Sequence, residues 1–219
     1  MKILLVSATE AELEPIIKKA QKIQEIDSVL SSYELNGHTF DILCSGVGMV
    51  ATSYQLGRVL ASHNYDCAIN AGIAGSFLKD LSLGTVVEVV EDEFSEMGAE
   101  DGSQFLSLSD LNLSMGDEYS GSIVNRQKTW DLPYPKLKAI TVNTVHGSEE
   151  RISMIENRLQ PQIESMEGAA FLYACKMANV PCVQIRAISN YVERRNKSNW
   201  NIPLAVQNLN AELLKFISK

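Results

Sequence analysis

Residues Val180 to Ile188 form an apolar run that stops at Ser189-Asn190 and gives way to a polar loop, Tyr191 to Trp200. An apolar run that ends in small hydrogen-bonding side chains, beside Arg186, reads as the carboxyl end of a central strand. Open α/β sheets place their ligands at that end. The Asn190 side chain is therefore a candidate ligand reader, and an amide there, rather than a carboxylate, constrains what it reads.

The rest of the chain is compatible with one domain, residues 1–219, built around such strands. A formal charge of −8 leaves no electrostatic footprint for nucleic acid or an anionic membrane, so a small molecule is the expected partner. The chain passes from Lys2 directly into Ile3-Leu4-Leu5-Val6, a run too short for a signal peptide or a membrane span. A soluble, cytoplasmic protein is expected. Cys44, Cys67, Cys175 and Cys182 stand singly in apolar segments without CxxC spacing and read as reduced core thiols. His38, His63 and His146 are equally dispersed, so neither a metal site nor an organic cofactor is expected.

Periodicity predicts a buried strand over 2–8, followed by a helix capped at Thr9, with Glu10 and Glu12 in its first turn and Leu13, Ile16 and Ile17 on its inner face. Strands over 30–36 and 38–45 are joined at Asn36-Gly37, a pair suited to a tight hairpin turn. A helix over 47–62 leads to an apolar strand, 66–71, that ends at a turn, Gly72-Ile73-Ala74-Gly75; another strand covers 85–90. Residues 91–120 are acidic and rich in Ser and Gly, which predicts an excursion or flap. Strands over 137–145, 162–165 and 181–189 then alternate with helices over 148–159, 167–178 and 203–217. The expected class is α/β, a three-layer sandwich with a twisted central mixed sheet flanked by helices.

Three segments carry residues suited to chemistry. Gly46-Val47-Gly48-Met49-Val50-Ala51 has the spacing of a dinucleotide-binding turn, with Asp66 twenty residues beyond its first glycine. That acid, however, precedes its strand rather than ending it, and the motif does not follow the first strand. Glu167 opens an apolar helix in Ser165-Met166-Glu167-Gly168-Ala169-Ala170. A carboxylate there is favoured by the helix dipole alone, and its two oxygens also suit a vicinal diol such as the 2′ and 3′ hydroxyls of a ribose. Of Glu10, Glu12 and Glu14, the outer two read as solvent-facing helix charges, whereas Glu12, at the end of the first strand with Arg186 near, suits deprotonation of a water.

Taken together, Ser7-Ala8-Thr9-Glu10-Ala11-Glu12, Ser45 to Ala51, Asn70-Ala71-Gly72-Ile73-Ala74-Gly75, and Met166-Glu167 with Arg186-Ala187-Ile188-Ser189-Asn190 resemble the purine nucleoside phosphorylase and methylthioadenosine/adenosylhomocysteine nucleosidase superfamily. The resemblance runs in order along nearly the whole chain. Ser165 to Ala170, Ile188 to Glu193 and Trp200 are most similar to its futalosine-hydrolysing branch, which serves menaquinone synthesis. The resemblance implies cleavage of an N-ribosidic bond through an oxocarbenium-like transition state. Glu12 would activate water, Arg186 would help position Glu12 or its water, Met166 and Glu167 would hold the ribose, and Ser165, Ala74, Gly75, Val145 and Ser189 would help bind the substrate.

Phosphate-using members carry arginines near the first strand turn and before the Gly72-like turn, because a dianion needs cationic clamps. Glu10, Glu12 and Asn70 stand there, which favours hydrolysis. Asn190 falls where adenine-specific members have an aspartic acid that protonates the purine. An amide is no acid at neutral pH, but it can donate to N7 or O6 and accept from N1–H, which suits a 6-oxopurine such as hypoxanthine. Ile73 replaces a serine of those enzymes, and their stacking aromatic would fall near Thr144 or Val145, leaving aliphatic groups or Tyr191 to sandwich the base. Arg194, Arg195 and Lys197 are candidates for the benzoate end of futalosine, and Phe94 or Phe105 for reaching a neighbouring subunit of a homodimer. The rival readings are a methylthioadenosine/adenosylhomocysteine or 6-aminodeoxyfutalosine nucleosidase and, from other classes, a non-catalytic nucleoside-binding protein or a dinucleotide-dependent oxidoreductase.

Overall fold

The computed structural model describes residues 1–113, 121–125 and 132–217. The first strand, β1 (Ile3–Ser7), is buried at every position. Its alternating side chains divide between two cores: Ile3 and Leu5 pack on one face, Leu4 and Val6 on the other. A strand of this kind needs a helical layer on each side.

Helix α1 (Glu10–Lys19) and three strands follow, β2 (Gln21–Glu25), β3 (Leu30–Leu35) and β4 (His38–Cys44), then α2 (Met49–Ser62). The Asn36-Gly37 turn takes the expected form, with φ of 54° and 82° at its two residues and Leu35 paired to His38. Next come β5 (Cys67–Ser76), β6 (Val86–Phe94), the small hairpin β7 (Gly98–Asp101) and β8 (Gln104–Ser107), and β9 (Ser122–Val124). The remaining elements are β10 (Lys136–Thr141), α3 (Glu149–Leu159), β11 (Ile163–Ser165), α4 (Gly168–Met177), β12 (Cys182–Tyr191) and α5 (Ile202–Ile217).

The main sheet runs β11-β10-β6-β12-β5-β1-β4-β3-β2, with β9 against β6. It is mixed, as expected: β1, β4, β5 and β12 are joined by parallel pairings, whereas β12 runs antiparallel to β6. Strand β11 pairs with β10 on one side and antiparallel with β5 on the other, so β5, β12, β6, β10 and β11 close into a ring. Closure removes two exposed edges and bends the carboxyl ends of β5 and β12 around a common space. Helices α1 and α5 cover one face, where Leu13, Ile16, Leu209 and Leu213 meet Leu5, Ile69 and Ile185. Helices α2 and α4 cover the other, where Leu56, Phe171 and Cys175 meet Leu4, Val6 and Ala68.

Several boundaries depart from the sequence expectation. Gly72 to Gly75 is not a turn but the second half of β5, paired with β12 from Arg186 to Asn190, and β12 continues through Asn190 to Tyr191 with a register shift at Ser189. Strand β6 runs on to Phe94, so residues 91–94 belong to the sheet rather than to a flap. Phe94 is buried against Ala169, Phe171 and Ile123, which removes it as a residue reaching toward another subunit. The expected excursion is reduced to the β7–β8 hairpin and its flanks, and its last part, residues 114–120, lies outside the described residues. Strand β2 was not expected at all. Every residue of its QKIQE sequence is exposed, so it carries no buried stripe and forms only by pairing with β3 at the sheet edge.

Candidate active site

Thr9 caps α1, and Glu12 occupies the third helical position, from which its side chain reaches back to the cap. Glu12 Oε2 accepts from the backbone N–H groups of Ala8 and Thr9, both at 3.1 Å, and Oε1 accepts from Ile73 N–H at 3.2 Å. Three fixed donors from two elements hold a nearly buried carboxylate in one place. Burial pushes its pKa up from the ordinary glutamate value; the Arg186 guanidinium pulls it down, and the Glu167 carboxylate adds to the rise. A carboxylate raised in this way is a better proton acceptor than an exposed one. Glu10 and Glu14 are exposed, as expected of helix charges.

Arg186 is 1% exposed and lies beneath this carboxylate rather than on the cavity wall. Its Nε donates to Gln184 Oε1 at 3.0 Å, Nη2 donates to Asn70 Oδ1, and Nη1 stands 3.7 Å from Glu167 Oε2. Gln184 Nε2 in turn donates to Asp92 Oδ2 at 3.0 Å, and Thr141 Oγ1 to Asp92 Oδ1 at 2.8 Å. The chain of bonds ends where Ala169 N–H, in the first turn of α4, donates to Thr141 Oγ1 at 2.8 Å. Burial pushes Asp92 up to about 6, against the lowering effect of its bonds from Gln184 and Thr141 and of Arg186.

Glu167 sits at the cap of α4, one residue before the helix begins. Its Oε1 accepts from Gly48 N–H at 3.0 Å, and Gly48 holds φ at 91°, a conformation glycine adopts without strain. The glycine-rich segment after β4 thus serves a side-chain carboxylate of its own chain. Asp66 is engaged at the other end of the sheet, accepting from Lys2 N–H at 2.6 Å, which is no place for a ribose contact of a dinucleotide.

These groups surround a cavity of about 350 Å³, within the range of small-molecule sites. Glu12, Ser165, Met166 and Glu167 form part of its wall, and Ala74, Gly75, Val145, Ser189 and Asn190 another part. Every expected site residue therefore lines the cavity except Arg186, which is buried behind it. Asn190 Oδ1 accepts from Ser189 Oγ at 2.7 Å, and its Nδ2 donates to Tyr191 O at 3.1 Å. Among the described residues lining the cavity there is no lysine or arginine. Nor, among the described residues, does any group of three His, Cys, Asp or Glu side chains converge as metal ligands would.

The sequence reading missed one constellation and misplaced others. His146 and Glu164 both line the cavity, with His146 Nδ1 2.6 Å from Glu164 Oε2 and His146 N–H donating to Glu164 Oε1 at 3.0 Å. They are 18 residues apart, His146 in the loop between β10 and α3 and Glu164 on β11, so spacing carried no sign of the pair. Tyr191 is not on the wall; Lys79 Nζ lies over its ring at 4.9 Å. Arg194 and Arg195 line a separate surface groove with Phe77 and Glu149, and Lys197 begins a short 3-10 turn. The Arg195 guanidinium stands 4.9 Å from the ring of Trp200, which does line the cavity, and Trp200 N–H donates to the backbone oxygen of Lys197 at 3.2 Å. Phe105 packs beneath the Arg158 guanidinium in a neighbouring groove.

Comparison with known families gives a match over residues 2–218 to the Phosphorylase superfamily. The chain belongs to that superfamily. It is 29% identical over 177 residues to the futalosine hydrolase of Acidothermus cellulolyticus, covering 78% of this chain and 72% of that protein. It is 27% identical over 241 aligned positions to the 5′-methylthioadenosine/S-adenosylhomocysteine nucleosidase of Haemophilus influenzae, covering 100% and 99% of the two chains. Among solved structures, the methylthioadenosine/adenosylhomocysteine nucleosidase of Colwellia psychrerythraea, in complex with adenine, superposes with a TM-score of 0.81 at 20% identity, over 99% and 94% of the two chains. The cavity lies at the carboxyl ends of β1, β5 and β12.

Proposed function

We propose that this protein hydrolyses the N-ribosidic bond of futalosine, releasing hypoxanthine and dehypoxanthine futalosine. The observation that carries the reading is the meeting of Glu12, raised by burial and fixed by three backbone donors, with Glu167 on one cavity wall that has no lysine or arginine among its described residues. Glu12 takes a proton from water as the water attacks C1′ of the ribose. Glu167, tied by Gly48 and Arg186, presents acceptor oxygens to the 2′ and 3′ hydroxyls, and Met166 supplies an apolar surface beside the sugar. Charge developing on the ribose is stabilised by these two carboxylates at positions set before the substrate arrives. A wall without lysine or arginine among its described residues is poorly suited to a phosphate dianion, which supports water as the nucleophile.

The choice of futalosine rests on Asn190 and on the similarity to futalosine hydrolases. The Asn190 amide can donate to O6 or N7 of a 6-oxopurine and accept from N1–H, whereas a 6-amino group reverses part of that pattern. A mismatched buried polar pair costs about 1–3 kcal/mol, or roughly ten- to a hundred-fold in discrimination. The second reading is a methylthioadenosine/adenosylhomocysteine or 6-aminodeoxyfutalosine nucleosidase, favoured by the match to the Haemophilus influenzae enzyme over the whole chain. Product analysis with futalosine, its 6-amino analogue and methylthioadenosine, with and without phosphate, separates these. Hypoxanthine release from futalosine without phosphate is the expected result; turnover of the adenine compounds alone would overturn the substrate, and phosphate dependence would overturn hydrolysis.

A further inference from the structure

Gly75 is paired with Glu164 of β11 on one side and with Asn190 of β12 on the other. A Cβ on Gly75 would lie 3.1 Å from Asn190 Nδ2 and 3.5 Å from Glu164 Cγ, so these two side chains stand over the same glycine from opposite sides. The end of the cavity that Asn190 marks is therefore also the end that Glu164 marks. Glu164 is buried, and both of its oxygens are committed to His146, one to the backbone N–H and one to Nδ1. With Nδ1 so engaged, Nε2 is the ring nitrogen left for a ligand. The ring of Phe77 meets the imidazole edge-on, with centroids 6.4 Å apart, and limits how the plane can turn.

A purine expelled as an anion is a poor leaving group, and protonation of its ring as the bond breaks lowers that barrier. Asn190 has no proton to give at neutral pH, and its amide is already bonded to Ser189 Oγ and Tyr191 O. We propose that His146, oriented by Glu164, is the acid that protonates the departing purine; the inference rests on the nucleosidase reading above. The imidazolium transfers its Nε2 proton to a purine ring nitrogen such as N7 while the N9–C1′ electron pair passes to the base, which leaves neutral. Water loses a proton to Glu12 as its oxygen bonds to C1′. Glu12 then releases that proton to solvent and His146 regains one from solvent, so the net reaction consumes one water and nothing else. Nδ1–H stays directed at Glu164 throughout, which fixes the tautomer of the spent imidazole.

The leaving group separates this role from a structural one. His146→Gln keeps a group able to bond Glu164 but cannot act as an acid. The experiment compares kcat/KM for the purine nucleoside with that for p-nitrophenyl β-D-ribofuranoside, whose nitrophenolate departs without protonation. The expected result is a loss of about 10²- to 10⁴-fold on the purine substrate, with the nitrophenyl substrate changed by less than about threefold. Glu164→Gln, a second variant that leaves the imidazole in place, shows the same selectivity with a smaller loss and serves alone if His146→Gln does not fold. Equal losses on both substrates, or no loss on either, overturn the acid while leaving the nucleosidase reading intact. A wild-type protein that cleaves neither substrate overturns both.

Discussion

Glu12 and Arg186 share the space above Gly72: a Cβ on that glycine would overlap Arg186 Nη1 and lie 2.8 Å from Glu12 Oε1. The glycine is thus the surface on which carboxylate and guanidinium are positioned, and its φ is unremarkable. Gly72→Ala must move one or both groups. We expect kcat/KM to fall about 100-fold, as for other displacements near 1 Å, and stability to fall by about 1–3 kcal/mol through overpacking. Steady-state kinetics with a urea melt checks both. Kinetics like those of the wild type would mean that Glu12 and Arg186 tolerate displacement and are not held at a fixed position for catalysis.

Glu12→Gln retains the shape of the side chain and removes the base. Turnover should drop by roughly 10²- to 10⁴-fold while nucleoside affinity changes little. The wild type carries a second expectation. Burial raises the Glu12 pKa, so as pH falls the base is lost to protonation above the ordinary glutamate value of 4.5. The acid limb of the pH–rate profile should lie above that value and vanish from the residual activity of the variant. A limb at or below 4.5 would mean that bound substrate reverses the effect of burial.

The sequence revealed different parts of this arrangement to different degrees. Glu12, Glu167 and Asn190 were legible because each stands at an abrupt change of pattern, where an apolar run meets a cap or a polar loop, and such junctions gather at one end of a parallel sheet. The closure of the ring by β11 was not, since a three-residue strand has no period of its own and its pairing with β5 is decided by tertiary packing. The same reason hid the His146–Glu164 pair. Arg186 was legible as a charge in a buried strand, but most of its setting was not, because Asn70 lies on β5, Glu167 at the cap of α4, and the chain of bonds behind Gln184 continues to Asp92 on β6 and Thr141 on β10. Gly72 and Gly75 read as turn residues when in fact they make room within a strand for the side chains of its neighbours.

Asn190→Asp tests the reading of the base. The Asn190 Nδ2 group now donates to Tyr191 O at 3.1 Å, so a carboxylate in that position faces a carbonyl oxygen unless it holds a proton. A protonated aspartic acid donates where the amide donated, and it can also release that proton to a ring nitrogen. The variant should shift the ratio of kcat/KM for 6-amino over 6-oxo substrates by about ten- to a hundred-fold. Competition between futalosine and its 6-amino analogue measures the ratio directly. An unchanged ratio would remove Asn190 as the residue that distinguishes the two bases.

Asp92 couples stability to pH through the same buried network. Its pKa of about 6 in the folded protein lies above the ordinary 3.8, so the folded state holds the proton more tightly than the unfolded chain does. The stabilisation from this group is therefore fully present below about pH 4 and is lost as pH rises through about 6. Asp92→Asn cannot titrate, so the difference in stability between the two proteins isolates this group. The stability of the wild type relative to the variant should fall by about 1–3 kcal/mol from pH 4.5 to pH 7.5. Urea unfolding of both proteins at several pH values across this range reads out the difference. A constant difference would place Asp92 at an ordinary carboxylate value and show that its bonds from Gln184 and Thr141, with the charge of Arg186, offset the cost of burial.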